Sequence, residues 1–377
     1  MIDTVCLLIP KDRMQFIKGV SNWELYSKTD QYRKFVRNPS KREKETGKYF
    51  PRLTGYTRRF SQDANVRVEF SAPKLIYLNN LDELSEEDFP KVLSTLQERL
   101  KDMGVILTKS VIENAPVSSV HYSRNLLLED GYTVNHIISE LNKVDLRKSF
   151  DFAKTRFVNN GQSLYAHTLS HQFVVYDKVA DLAKSKKRAI DKDQTLYQKN
   201  LFYEMNKENS LSEIIRFEVR LNRKQKMDRV LEQVGYSKSP CFKDVFNVDL
   251  SQKVIANYWE KIIKEKNQGL FSVPLSLKDI LQVIFLVDRN IKPNKAIYFL
   301  GLYILAKDED GMRQLRSIVT KRMHERTWYR MANDMRYASK LITKNNLRSW
   351  VKQIDYKLAN YKPYKHTLYE DTKNKSI

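Results

Sequence analysis

Alternation of apolar with charged side chains marks the strands of this chain. Val66-Arg67-Val68-Glu69-Phe70 and Ile214-Ile215-Arg216-Phe217-Glu218-Val219-Arg220-Leu221 both carry the two-residue period of a half-buried strand. Val5 to Ile9 is a short continuous apolar run that suits a buried strand. Leu75-Ile76-Tyr77-Leu78, Val117 to Leu128, Ser163 to Ala166 and Gln172 to Tyr176 are read as further strands, with the basic stretch from Arg37 to Arg52 as a loop. Helical spacing appears from Ser85, where Phe89, Val92, Leu93, Leu96, Leu100 and Met103 recur, with Ser85/Asp88 as the start and Gly104 as the stop. Val134, Ile137, Ile138 and Leu141 make a second amphipathic helix, and the chain turns helical and charged after Tyr176. Beyond about residue 245 the strand signals fade. Helices are expected at Gln252–Lys264, Leu277–Val287, Lys295–Ala306, Met312–Met323, Arg326–Leu341 and Asn346–Leu358.

These elements predict an α+β chain. A mixed, mainly antiparallel sheet with flanking helices occupies 1–245, an all-α region follows over 246–365, and 366–377 forms a flexible tail. The 41% hydrophobic content is enough to bury a core, which excludes wholesale disorder. Charge changes the picture more: 67 Lys and Arg against 45 Asp and Glu leave a net charge of +22, and a polyanion is the partner such a surface attracts. The segment from Lys321 to Lys365 concentrates it. Within that segment Arg322, Arg326, Trp328, Tyr329, Arg330 and Arg336 interleave guanidinium and aromatic groups around a helix junction near His324-Glu325, a pattern that suits DNA; a helical bundle with a solvated basic face is the plainer alternative. The longest apolar run, Ala296 to Ala306, is too short to span a bilayer, so no membrane partner is expected. Val5 to Pro10 lacks a preceding basic segment and reads as a strand rather than a signal peptide. Two cysteines, Cys6 and Cys241, exclude a disulfide framework or a cysteine zinc site, and a cytoplasmic protein is expected.

No Gly-rich nucleotide loop, G-x-S-x-G or H-E-x-x-H motif is present, which argues against nucleotide hydrolysis and the common hydrolase classes. Several strands instead carry one polar group each: Glu69, His121, Tyr176 and Glu218. Alternation puts Glu69 opposite Val66, Val68 and Phe70, and Glu218 out of phase with Phe217 and Val219, so the two can share a face. Two carboxylates and an imidazole on one face make a candidate site for Mg²⁺ or Mn²⁺. The ordinary alternatives are a cross-strand salt bridge from either Glu to Arg67, Arg216 or Arg220, a hydrogen-bonded structural His121, and a Tyr176 that packs at a strand end.

Five segments in order resemble the replication initiators of the filamentous-phage gene II type and the related plasmid Rep proteins. They are Met1-Ile2-Asp3-Thr4-Val5, Val68-Glu69-Phe70-Ser71-Ala72-Pro73-Lys74-Leu75, Val117-Ser118-Ser119-Val120-His121-Tyr122-Ser123-Arg124-Asn125, Val174-Val175-Tyr176-Asp177-Lys178 and Ile215-Arg216-Phe217-Glu218-Val219-Arg220-Leu221. Arg326-Thr327-Trp328-Tyr329-Arg330 is similar to part of that family's C-terminal region. The resemblance implies a Rep nuclease-like domain acting as a rolling-circle replication endonuclease, one that nicks and rejoins a strand at an origin through a 5′-phosphotyrosine. By position it makes Tyr176 the nucleophile, Lys178 its cationic helper, and Glu69, His121 and Glu218 the holders of a divalent metal. His121 stands where the phage proteins carry an Asp. Tyr165 is the rival or accessory nucleophile, and His167 and His171 are alternative ligands. The implied partners are supercoiled origin DNA melted at the nick, host helicase and polymerase, and a second subunit in a homodimer. A non-catalytic origin-binding initiator or regulator is the competing reading, and an RNA-binding sheet a weaker one.

Overall fold

The computed structural model describes residues 1–20, 23–28, 32–58, 65–129, 131–146, 150, 156–158, 163–183, 213–264, 271–273, 275–308, 311–342 and 347–366. The charged stretch 184–212 and the predicted tail beyond His366 lie outside the described residues.

The strands in chain order are β1 (Ile2–Pro10), β2 (Gln15–Phe16), β3 (Glu24–Lys28), β4 (Tyr32–Arg37), β5 (Arg52–Arg58), β6 (Asn65–Ser71), β7 (Val105–Ile106), β8 (Val117–Leu127), β9 (Arg156–Val158), β10 (Ser163–His167), β11 (His171–Asp177) and β12 (Ile214–Leu221). Ten of them form one sheet in the order β3-β4-β5-β6-β1-β8-β12-β11-β10-β9, while β2 and β7 make a small separate ribbon. Every pairing among the described strands is antiparallel. The α+β architecture expected from the sequence is therefore present, with no parallel pair among them.

The two faces of the sheet differ. Phe173 and Val175 on β11 and Ile215, Phe217, Val219 and Leu221 on β12 enter the main core. Phe173 packs against Tyr258, with ring centres 5.9 Å apart, and Phe217 meets the edge of Trp259 at 5.6 Å. These rings come from the helix Val248–Tyr258 and the π-helical turn Trp259–Lys264 that continues it. Val248–Tyr258 lies on β8 and β12 and against the helix Ser349–Ala359, so the first and last helices after residue 245 belong to the sheet's apolar layer. The helices Leu277–Val287, Pro293–Lys307 and Glu325–Ile342 build a second core of their own around Ile280, Ile284, Phe299, Tyr303 and Leu341. Among the described residues no helix is long and apolar enough to cross a membrane.

Local signals account for most helix limits. Ser85 and Asp88 exchange capping bonds, Ser85 N donating to Asp88 Oδ2 at 2.8 Å, and Phe89–Asp102 follows, ending before Gly104 in the left-handed region. One expected strand is corrected. Leu75-Ile76-Tyr77-Leu78 is not extended; Ala72–Tyr77 is a helix with Pro73 in its first turn, where the missing N–H and fixed φ of proline do no harm. Its apolar residues are nearly all buried, so the run shows no helical stripe. This helix delivers a turn beyond Leu78 in which Asn79 Oδ1 accepts from the backbone N–H groups of Leu81 and Asp82 at 2.8 and 2.9 Å.

Candidate functional site

The polar face of the sheet is set by register. On β12, Arg216, Glu218 and Arg220 pair with Asn125, Ser123 and His121 of β8 and with Tyr176, Val174 and Gln172 of β11. Paired residues point to the same side, so these groups converge opposite the apolar core. Glu218 lies at the centre and is 2% exposed. Arg220 grips it with a fork: Nε donates to Oε1 at 2.9 Å and Nη2 to Oε2 at 3.0 Å. The Tyr176 hydroxyl donates to the same Oε2 at 3.5 Å. His121 Nε2 lies 3.1 Å from Asn222 Oδ1, and its Nδ1 lies 3.8 Å from Glu218 Oε1.

Arg216, 1% exposed, forms the floor beside this cluster. Its Nη2 donates to Asp3 Oδ1 and Ser123 Oγ, each at 2.7 Å, and Nη1 donates to Asn80 O at 2.7 Å and Asn125 Oδ1 at 3.3 Å. Its Nε–H has no partner among the described residues. Lys178 is fully buried and begins the helix Lys178–Ala183 just past β11; its Nζ donates to Asn80 Oδ1 at 2.8 Å and stands 5.9 Å from the centre of the Tyr176 ring. The turn after Ala72–Tyr77 therefore holds both cations through one residue, Asn80.

Burial and charge act against each other here. Burial pushes the Tyr176 phenol well above its ordinary pKa, Arg216 opposes that, and Glu218 adds to it. Burial alone would raise the Glu218 carboxyl, but Arg220, then Arg216 and His121, hold it below the usual carboxylate range. Burial and the neighbouring Arg220 lower His121, outweighing Glu218, so the imidazole is neutral at pH 7. In this arrangement Tyr176 is a neutral phenol beside a fully ionised carboxylate.

Of the residues expected to act together, the structure gathers Tyr176, Lys178, His121 and Glu218. Tyr165 is on the same face one strand farther out, opposite Val174. His167 shares that face at the end of β10, opposite Gln172. His171 does not share it: it packs on Phe150 at 4.9 Å and on Tyr258 on the core side, and burial lowers its pKa to about 4. Glu69 shares the face, as alternation predicts, but pairs with Cys6 of β1 and Arg52 of β5, three strands from β12. At ordinary strand geometry three strand spacings, about 14 Å, and a four-residue offset along β8, about 13 Å, separate it from Glu218.

The donor set decides how well a divalent ion fits. Glu218 Oε1 and His121 Nδ1 face each other as two donors would, but Arg220 holds both carboxylate oxygens and Glu69 is out of reach. No group of three His, Cys, Asp or Glu comes together among the described residues. Glu69, His121 and Glu218 do not fit a single ion in this arrangement.

The basic aromatic segment is also divided. Helices Gly311–Arg322 and Glu325–Ile342 meet at Met323-His324, as expected. Trp328, however, is 1% exposed within the core, with the Arg316 guanidinium 5.9 Å from its ring, so it is a packing residue and not a stacking platform for bases. Its position on the helix faces the sheet domain, where Arg316 also bonds Asp145 at 3.0 Å. Tyr329 is half-buried and donates to Glu325 Oε1 at 3.2 Å. Arg322, Arg326 and Arg330 are exposed, and Arg336 is half-buried.

Asp3, Asn80, Asn125, Asn222 and the donor roles of Arg216 and Arg220 were not visible as site residues in the sequence. The in-phase spacing Arg216, Glu218, Arg220 was the available signal for the last two. No protein-family model, curated protein or solved structure matches the chain.

Proposed function

We propose that this chain nicks and rejoins one strand of a DNA origin through Tyr176, as a rolling-circle replication initiator. The observation that carries the reading is the meeting of a phenol, a carboxylate and three cations on one polar sheet face: the Tyr176 hydroxyl on Glu218, with Arg216, Arg220 and Lys178 around them. The ordered resemblance to gene II type initiators and the net charge of +22 support it.

A scissile phosphate entering this face competes with Glu218 for Arg220. The guanidinium fork that binds a carboxylate also matches two phosphate oxygens. Transfer of Arg220 to the phosphate removes the strongest charge holding the Glu218 pKa down, and the freed carboxylate becomes a better base. Tyr176 gives its proton to Glu218 and its oxygen bonds to phosphorus. The bond from phosphorus to the 3′ oxygen breaks, and that oxygen takes a proton from water. The products are a 5′-phosphotyrosine and a 3′-OH, and the reverse reaction reseals a strand without ATP. Arg216 and Lys178, both bonded to Asn80, stabilise the charge that develops on the phosphoryl oxygens. Exposed Arg322, Arg326 and Arg330 are the groups proposed to contact duplex phosphates.

A second reading has its own observation. Tyr176 is 8% exposed and Glu218 is neutralised by Arg220, which suits a non-catalytic initiator that binds an origin and opens it. Incubating wild type and Tyr176→Phe with supercoiled origin plasmid, in Mn²⁺, Mg²⁺ or EDTA, separates the two. Nicking with a covalent adduct in wild type, and neither in Tyr176→Phe, supports the nicking reading; binding without cutting under every condition supports the second. The EDTA arm reads out directly whether an ion is required.

A further inference from the structure

The polar face does not end at the catalytic cluster. Strand register carries it outward: Cys6 pairs with Glu69, Glu69 with Arg52, Arg67 with Thr54, Thr54 with Val36, Tyr56 with Lys34, and Lys34 with Ser27. Arg67, Arg52, Tyr56 and Lys34 thus stand on the side that bears His121 and Glu218. Tyr26, at the irregularity between Leu25 and Ser27, joins them, because Lys34 Nζ lies 4.3 Å from the centre of its ring. Arg67 Nε donates to Cys6 Sγ at 3.2 Å, which lays its side chain across β1 toward the cluster.

Nothing in the core requires aromatic rings here. The apolar side of these strands is the other one, where Leu53 and Val68 are buried and Trp23 lies 3.6 Å from the point a Cβ on Gly55 would occupy. No described helix packs as a layer on β3, β4 or β5. Tyr26 is 68% exposed, while Lys34, Arg52, Tyr56 and Arg67 are half-buried, held at the surface rather than free in solvent. Among the described residues of β3 to β6, Glu24 and Glu69 are the carboxylates on this side, and Glu69 sits beside Arg52. From β3 to β12 there are six strand spacings, about 29 Å.

We propose that this shelf binds single-stranded DNA, with bases stacked on Tyr26 and Tyr56 and phosphates held by Lys34, Arg52 and Arg67. Only an unpaired strand exposes base faces to such rings, and cations between the rings match the backbone that links the bases. The shelf deepens the nicking reading: its role in leading a melted strand toward Tyr176 rests on that reading, but its binding does not.

The test uses the full chain, a labelled twenty-nucleotide oligothymidylate, and fluorescence anisotropy in EDTA, with a duplex of the same length as comparison. Tyr26→Ala and Tyr56→Ala are expected to weaken single-strand binding about 5- to 150-fold each, with little change for duplex, while Tyr56→Phe keeps most of the affinity. Lys34→Gln and Arg67→Gln should each lower the slope of log affinity against log salt by about 0.7. Single-strand affinity unchanged in both alanine variants overturns the shelf and leaves it a solvated face. Equal losses for single strand and duplex overturn the choice of ligand. Tyr176→Phe keeps the affinity in either case, so failure of nicking and failure of the shelf are read separately.

Discussion

Arg220→Gln isolates the interaction on which the charge balance of the cluster depends. In the native protein Glu218 is buried with its charge balanced by a two-bond fork at 2.9 and 3.0 Å. Removing one partner of a buried ion pair costs about 3–5 kcal/mol, because the other charge stays buried without its counterion. Arg220 is 28% exposed, and Arg216 remains nearby, so about 3 kcal/mol, the lower end, is expected at pH 7. The pH dependence gives the sharper check. With its folded pKa depressed, Glu218 contributes stability that is present above the unfolded carboxylate pKa and is lost as pH falls through the lower folded value. Without Arg220, burial pushes the carboxyl upward instead, so the variant gains relative to wild type as the solution is acidified from neutrality. Urea unfolding of both proteins between pH 4 and 8, values set by the ordinary carboxylate range, measures the difference. Arg220→Gln combined with Glu218→Gln should recover most of the loss. A constant difference across that pH range, or no recovery in the double variant, would refute the reasoning.

Two further outcomes follow from the C-terminal helices. Trp328→Ala should destabilise the protein by about 3–5 kcal/mol, seen as a lower urea midpoint, while DNA affinity of the folded fraction is unchanged, because the ring lies in the core. Arg326→Gln with Arg330→Gln should leave the urea midpoint within about 0.5 kcal/mol of wild type and lower the salt slope of duplex binding by about 0.9 for each phosphate no longer neutralised, measured by anisotropy at several salt concentrations.

The sequence was most informative where one side chain period coincided with one buried face. β12 alternates from Ile215 to Leu221, and Leu277–Val287 matches the expected helix at both ends. Ala72–Tyr77 failed for a physical reason: buried on almost every side, it has no polar stripe from which a period can be read. Strands β3, β4 and β5 were missed because Val36 and Tyr56 stand on the polar side while Arg33, Arg37 and Gly55 stand on the other, and β3 is exposed along nearly its whole length, which blurs the alternation used to find strands. For the site, alternation correctly placed Glu69 and Glu218 on one face. It carries no information on strand order, which put β1 and β8 between them. Trp328 shows the same limit on a helix, since composition identified the basic aromatic segment but not which of its groups turn inward.

The strand order also has a consequence for how the chain is made. β1 lies between β6 and β8, and β12 pairs with β8, so the centre of the sheet joins residues over two hundred positions apart, among them Asp3 and Arg216. At about 5–20 residues per second, β12 follows β1 out of a ribosome by about 10–40 s. During that interval β1 can pair with β6 and then β8, but β8 presents an open edge and Arg216 has not yet arrived to balance Asp3. Long-range pairings of this kind form slowly. The half-made sheet is therefore the species most exposed to aggregation, and closure of the polar cluster's floor by Arg216 coincides with the loss of that open edge.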